Sequence, residues 1–214
     1  MTRLAALLFG LLMLAACGSK PRAPDWQMNA HDALQRSQAA YLKGDARVEA
    51  AEFETARREL AATGQVALVA RAELTRCAAK VASLVFEACE AFERLRADAP
   101  AAERAYADYL QGRIAPPEIA LLPAHHRAVA SAGAAAVASI EDPLARLVAA
   151  GVLMQTGQAS PQVLDTAVDT ASQQGWRRPL LAWLGVQLRR AEGAGAAQDA
   201  ERLRRRIALV GGTR

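Results

Sequence analysis

Small and apolar residues recur along this chain in steps of three and four positions. In residues 26–84 they form three stripes: Trp26-Ala30-Leu34-Ser37-Tyr41, Ala46-Ala50-Phe53-Ala56-Leu60 and Val66-Ala70-Leu74-Cys77-Val81-Leu84. This spacing places the side chains of each stripe on one face of an α-helix. We therefore predict three amphipathic helices, with Trp26 substantially buried where the first stripe begins.

Short links that contain glycine separate these stripes. Gly44-Asp45 follows the first stripe, and Thr63-Gly64-Gln65 follows the second. Glycine commonly ends helices because it adopts the left-handed conformation without strain. Short links also make consecutive helices antiparallel neighbours. The pattern therefore predicts an all-α protein built from antiparallel helical hairpins.

Prolines interrupt the middle of the chain. Pro116 and Pro117 must end any helix, because proline lacks the backbone N–H and clashes with the preceding turn. Pro123 and Pro143 are placed to begin new helices. We therefore predict N-terminal helical hairpins over residues 26–113 and C-terminal helical hairpins over residues 114–214.

Composition supports the helical prediction. Alanine accounts for 52 of the 214 residues, and aromatic residues for only 5%. Alanine is the best helix former because it loses no side-chain entropy. Runs of β-branched residues that alternate with polar ones, which would indicate strands, are absent from the sequence.

The first 25 residues indicate export rather than folding. Arg3 precedes an apolar stretch from Leu4 to Ala16 that is shorter than the roughly 20 residues of a membrane-spanning helix. Leu14-Ala15-Ala16-Cys17 resembles the lipobox of bacterial lipoproteins. The resemblance implies a signal peptide over residues 1–16 and a Cys17 that carries acyl chains such as palmitate. Residues 17–25 would then form an extended tether.

The same resemblance predicts a location. No aspartate follows Cys17, so the inner-membrane retention signal of lipoproteins is missing. We expect the chain to be anchored in the outer membrane by its N-terminal lipid and to face the periplasm. The inner membrane remains the alternative final site.

One hairpin turn resembles a known repeat. The segment AYLKGDARVEAAEFETARREL is similar to a tetratricopeptide repeat. The matching positions are the aromatic residue, the turn and the second-helix anchors: Tyr41, Gly44, Asp45, Phe53 and Ala56. The match is partial, because Glu49 stands where the family carries a small packing residue. The resemblance implies either a short, degenerate solenoid of this type or an irregular helical bundle.

The net charge of +4 is too small to indicate nucleic-acid binding. The densest basic cluster lies near the C-terminus: Arg202, Arg204, Arg205 and Arg206. A helix with such a cluster commonly exposes a solvated face. The alternative is a contact with anionic headgroups or with an acidic partner.

The sequence contains no recognisable catalytic motif. His125 and His126 are adjacent, and neighbouring helical positions point about 100° apart, so one metal ion could hardly bind both. We expect these histidines at the surface or at a helix start. The acid pairs Glu49/Glu52 and Glu90/Glu93 are expected to form ion pairs with arginines along their own helices. We therefore predict no catalytic residue, no metal and no cofactor.

Cys77 and Cys89 are either a disulfide or two buried free thiols. One continuous helix would hold them about 18 Å apart, too far for a bond. The bond therefore requires a break in the helix, and Ser83-Leu84-Val85-Phe86 is the segment poorest in strong helix formers. An oxidising compartment favours the disulfide.

Two classes of function remain. The first is a non-enzymatic protein-protein interaction scaffold in envelope assembly, similar in plan to helical-repeat and pilotin lipoproteins of the outer membrane. Its partner would be an envelope protein, and the sequence indicates no oligomeric state. The second is an envelope enzyme or enzyme activator with a site in the helical domain.

The lipobox generates a direct prediction. Cys17→Ser should leave an unprocessed or soluble periplasmic product, because no thiol remains to receive the lipid. Cell fractionation followed by immunoblotting measures this. Recovery of the serine variant with the outer membrane would contradict the predicted anchor.

Overall fold

A computed structural model describes residues 23–212. Within them the chain forms ten α-helices, two 3₁₀ helices and no strand, which confirms the predicted all-α class. The α-helices are α1 (Asp25–Lys43), α2 (Ala46–Ala61), α3 (Val66–Ala82), α4 (Glu90–Glu93), α5 (Ala101–Leu110), α6 (Ala124–Ala132), α7 (Pro143–Gln155), α8 (Pro161–Gln173), α9 (Arg177–Gly193) and α10 (Ala197–Gly211). The 3₁₀ helices are Pro116–Leu121 and Gly133–Ser139.

The predicted signal peptide, residues 1–16, and the predicted lipidation site Cys17 lie outside the described residues. Over residues 23–212, no helix combines the length and the apolar character required to cross a bilayer.

The turn between α1 and α2 follows from its two residues. Gly44 has a φ of +94°, and its N–H donates to the carbonyls of Ala40 and Tyr41 at the end of α1. The next residue begins α2, since the Asp45 carboxylate accepts a hydrogen bond from the Val48 N–H at 3.0 Å. A left-handed glycine followed by an N-cap aspartate therefore closes the first hairpin.

The buried face of α2 differs from the predicted stripe. Ala46 and Ala50 are exposed, whereas Glu49, Phe53 and Ala56 are buried. Phe53 and Ala56 are buried as predicted, and only the first turns differ, where Glu49, which pairs with an arginine of α3, takes the inner position in place of Ala46 and Ala50. Periodicity of apolar residues alone could not indicate that a carboxylate belongs on the inner face.

Helix α3 occupies the centre of the N-terminal half, where it contacts α1, α2, α5 and α7. It ends at Ala82, and Leu84 then adopts a left-handed φ of +59°. This break lies in the segment where a disulfide would require it. The chain turns back, and the structure pairs Cys77 with Cys89 at a Cα–Cα distance of 6.0 Å.

The second half packs on the first through α7 and α9. Gly151 of α7 lies so close to α3 that a Cβ added there would stand 2.3 Å from the Val81 carbonyl oxygen. From α9, the buried Trp183 indole Nε1 donates to the Ala82 carbonyl at 3.0 Å. Also from α9, the Arg178 Nε donates to the Tyr41 carbonyl at 2.7 Å, with its guanidinium over the Tyr41 ring.

One hydrophobic core therefore crosses the boundary that we placed near residue 115. Its buried members extend from Ala70 to Val186. The prolines at 116, 117, 123 and 143 do interrupt or begin helices as expected. Trp26 is of intermediate exposure, so its burial is less than we predicted.

The approach of α7 to α3 generates a prediction about packing. Gly151→Ala should destabilise the protein by about 1–3 kcal/mol, because the added methyl group meets backbone that cannot move aside. The melting temperature should fall by about 2–4 °C for each kcal/mol in a domain of this size.

Gly193→Ala is the matched control, since no atom lies within 4 Å of its added Cβ. It should be neutral or slightly stabilising, because alanine has the higher helix propensity. Equal melting temperatures for the two variants would mean that α7 and α3 do not approach this closely.

Candidate functional site

Two cavities with mostly apolar linings lie along α3. The two cavities meet at Arg71, which lines both of them, and we call them together the α3 groove. The first cavity is about 190 Å³ and lies between α1, α2 and α3. The second is about 400 Å³ and lies between α3, α5, the first 3₁₀ helix and α6.

Apolar side chains form most of the groove walls. The first cavity is lined by Trp26, Ala30, Leu34, Leu60 and Leu68, with His31 at its edge. The second is lined by Leu74, Ala102, Tyr106, Leu121, Leu122 and Pro123, with Arg127 at its edge. Leu121 is 43% exposed, although large aliphatic side chains are usually buried. The groove therefore offers apolar surface that the described chain leaves uncovered.

Arg71 is held in place by a buried carboxylate. Its Nε and Nη2 donate to Glu103 Oε1 of α5 at 3.1 and 2.6 Å. The Glu103 side chain is only 8% exposed, whereas that of Arg71 is 67% exposed. A fixed guanidinium with most of its surface in solvent is suited to binding a carboxylate or a carbonyl.

Two further buried glutamates pair across helices. Glu49 of α2 accepts two hydrogen bonds from Arg76 of α3, at 2.7 and 3.2 Å. Glu73 of α3 accepts one from Arg57 of α2 at 2.9 Å. Because an unpaired buried charge is strongly unfavourable, these pairs set the register of α2 against α3.

Three of the four glutamates in the acid pairs of the sequence form ion pairs. Glu49 and Glu52 pair with arginines of other helices, since Glu52 Oε2 lies 2.9 Å from Arg36 Nη2. This corrects our expectation of pairing along one helix. Glu93 does pair within its own segment, at 2.6 Å from Arg96.

A buried aromatic cluster lies behind the groove wall. Tyr106 stacks on His126 with ring centroids 5.6 Å apart, and the Tyr109 hydroxyl lies 3.3 Å from His126 Nδ1. His126 lies in the first turn of α6, one of the two positions that we expected, but it is fully buried, whereas His125 is exposed. Burial lowers the pKa of His126 to about 3, aided by the neighbouring His125. Burial also raises the pKa of both tyrosines.

A separate, charged cavity of about 440 Å³ lies beside the disulfide, outside the α3 groove. Its lining combines three acids with three bases: Glu73, Glu87, Glu90, Arg76, Lys80 and Arg94. Lys80 Nζ and Glu87 Oε2 are 2.8 Å apart, so much of this charge is internally paired. Among residues 23–212 no group of three or more metal-ligating side chains converges.

The C-terminal arginine cluster lies on α10 and away from the groove-forming helices. Arg202, Arg204, Arg205 and Arg206 are all exposed. Arg204 pairs with Glu192 and Glu201, and Arg202 pairs with Asp199. These ion pairs are on the surface, where each contributes little to stability.

The predicted stripes contain several groove residues, such as Trp26, Leu34 and Leu74, but not Arg71, Tyr106 or Leu121. Arg71, Tyr106 and Leu121 belong to three different elements, and each alone resembles an ordinary helical residue. The one available signal was Leu121-Leu122 directly before Pro123, an apolar pair outside any helical stripe.

The buried histidine generates a pH prediction. The pKa of His126 is about 3 when folded and near 6.5 when unfolded, so between these values only the unfolded chain binds the proton. The free energy of unfolding should therefore fall as the pH drops below about 6.5, by up to about 1.4 kcal/mol for each pH unit.

His126→Gln should flatten this dependence between pH 6.5 and pH 5, measured by urea unfolding. His31→Gln is the control, because His31 is exposed and should leave the slope unchanged. The assignment is wrong if the slope of the His126 variant equals that of the parent chain.

Comparison with protein-family models, with curated proteins and with solved structures finds no match for this sequence.

Proposed function

We propose that this chain is a non-enzymatic scaffold of the bacterial cell envelope. In this proposal the lipid on Cys17 anchors it to the outer membrane, and the helical domain faces the periplasm. The α3 groove then holds a segment of an envelope protein. The observation that carries the proposal is uncovered apolar surface on both sides of a fixed, exposed arginine.

The groove has the anatomy of a protein-binding surface rather than of an enclosed small-molecule site. Its floor is apolar, and aromatic and arginine side chains, the types enriched at interface centres, lie along it. Trp26 lies at one end and Tyr106 near the other, with Arg71 between them. A bound segment would place apolar side chains in the two cavities and a carboxylate or carbonyl against the Arg71 guanidinium.

The rigidity of the groove supports this function. Helices α2, α3 and α5 are linked by the three buried ion pairs, and the disulfide ties the end of α3 to the chain that follows. A preformed groove loses little conformational entropy when a partner binds. Such a surface would suit repeated, reversible contacts during envelope assembly.

Site-specific photocrosslinking in living cells tests the proposal. A photoreactive amino acid at Ala102, which is exposed and lines the groove, should crosslink to one envelope protein. The same amino acid at Val48, which is exposed but outside the groove, should not give that product. Mass spectrometry of the crosslinked band identifies the partner.

Leu121→Asn should lower the crosslink yield about tenfold, because removing an apolar contact from an interface centre typically costs more than 1 kcal/mol. Phe86→Asn is the matched control, since Phe86 is 41% exposed and lies outside the groove. Equal yields in the two variants, or a product at Val48 identical to that at Ala102, would contradict the proposed groove.

A further inference from the structure

Charge is divided unevenly between two parts of the described chain. Residues 23–176 contain 14 basic and 19 acidic residues, a net charge of −5. Residues 177–212 contain eight arginines and three carboxylates, a net charge of +5. We call this second part, which comprises α9 and α10, the basic hairpin. The small net charge of the whole chain conceals this separation.

The two faces of α10 differ in character. Its inner face packs against the rest of the protein through Ala200, Leu203, Ile207 and Val210. Its outer face follows the same helical spacing and consists of Arg202, Arg205, Arg206 and Leu209. Leu209 is 80% exposed, the highest value among the exposed large hydrophobic residues. The outer face is therefore a row of guanidinium groups with an apolar side chain at its end.

Much of the charge on this hairpin is free to bind an external anion. Within the described residues, Arg189, Arg190 and Arg206 make no ion pair. Arg205 Nη1 lies 4.0 Å from Glu201 Oε2, at the limit of an ion pair, and its side chain is 71% exposed. Arg202 pairs with Asp199 but remains 67% exposed.

We propose that the basic hairpin binds the surface of an anionic lipid bilayer through the outer face of α10. Arginines at headgroup depth beside an apolar side chain that enters the acyl region are the combination by which amphipathic helices bind membrane surfaces. Each basic residue near an anionic surface increases binding about fivefold. The acidic remainder of the protein would face away from the bilayer, since like charges repel.

This inference is independent of the α3 groove and of the anchor at Cys17. A lipid anchor alone leaves the orientation of the protein free, whereas a second contact through α10 would fix it. The groove would then be presented to the periplasm in one orientation.

A fluorescent label on residue 209 tests the proposal in the full chain. With Cys17→Ser and with Cys77 and Cys89 bonded to each other, Leu209→Cys supplies the one free thiol for an environment-sensitive dye. Vesicles of phosphatidylcholine with 30% phosphatidylglycerol should shift the emission of the dye to the blue. Vesicles of pure phosphatidylcholine should not, even if the N-terminal segment inserts into both.

A label at Val48→Cys is the positional control, because this residue is exposed on α2 in the acidic part of the chain. Its emission should stay unchanged with either vesicle. Raising the NaCl concentration to 0.5 M should reverse the shift at residue 209, because salt screens charges beyond a few ångströms.

Two charge-matched variants test the arginines. The triple variant Arg202→Gln, Arg205→Gln and Arg206→Gln should lose the blue shift, since three such contacts together contribute about a hundredfold in binding. The control changes three exposed arginines that form no ion pair within the described residues: Arg47→Gln, Arg58→Gln and Arg94→Gln. The control should keep the shift, and circular dichroism should show equal helix content in both.

Three results would overturn the proposal. The first is an equal shift with neutral and anionic vesicles, and the second is an equal loss of shift in both triple variants. The third is a blue shift that needs no vesicles and grows with protein concentration. That result would show that the acidic part of a second copy, rather than a bilayer, covers α10.

Discussion

Helix α9 donates hydrogen bonds to carbonyls at the C-terminal ends of α1 and α3. The packing of the C-terminal half against the N-terminal half depends on these two bonds. The last carbonyls of any helix have no partner within it and need a donor from elsewhere. Trp183 donates to Ala82 at the end of α3, and Arg178 donates to Tyr41 near the end of α1. The guanidinium also adds a positive charge at the negative end of the α1 dipole. Trp183 is fully buried, so its indole N–H has no water to bind and needs the Ala82 carbonyl as its acceptor. The Ala82 carbonyl likewise needs this donor, because it lies at the end of α3.

The three buried carboxylates perform a related task inside the N-terminal half. Glu49, Glu73 and Glu103 each come from a different helix, and each meets an arginine of a neighbouring helix. Such pairs contribute little net stability because the carboxylate is desolvated, yet any other register would leave that carboxylate buried without a partner. They therefore specify how α2, α3 and α5 sit together. Arg71 belongs to this framework and also lies exposed in the α3 groove, so the feature that aligns the helices also positions a binding group.

The apolar α3 groove and the basic hairpin lie in different parts of the structure. The apolar α3 groove is formed by α1, α2, α3, α5, the first 3₁₀ helix and α6 in the acidic part of the chain, whereas the positive charge is concentrated on α9 and α10. Helix α10 packs mainly on α9, and the described residues leave its outer face exposed. A scaffold beside a membrane gains from this arrangement, because a contact on one surface leaves the other available.

The sequence by itself determined the helical class and the first hairpin turns, and it indicated where α3 would break if the disulfide formed. These are local properties: alanine content and periodicity favour helices, Gly44-Asp45 supplies both a left-handed residue and an N-cap, and Ser83 to Phe86 is poor in helix formers. Only the tertiary structure decided that Glu49 of α2 is buried, that His126 is inside, and that Trp183 and Gly151 join the two halves. Each of these depends on a partner far away in sequence, such as Arg76 for Glu49 or Ala82 for Trp183. The sequence around a polar residue does not show whether that residue is buried. The residue is buried only if another helix supplies a partner, and without the partner it would lie in solvent.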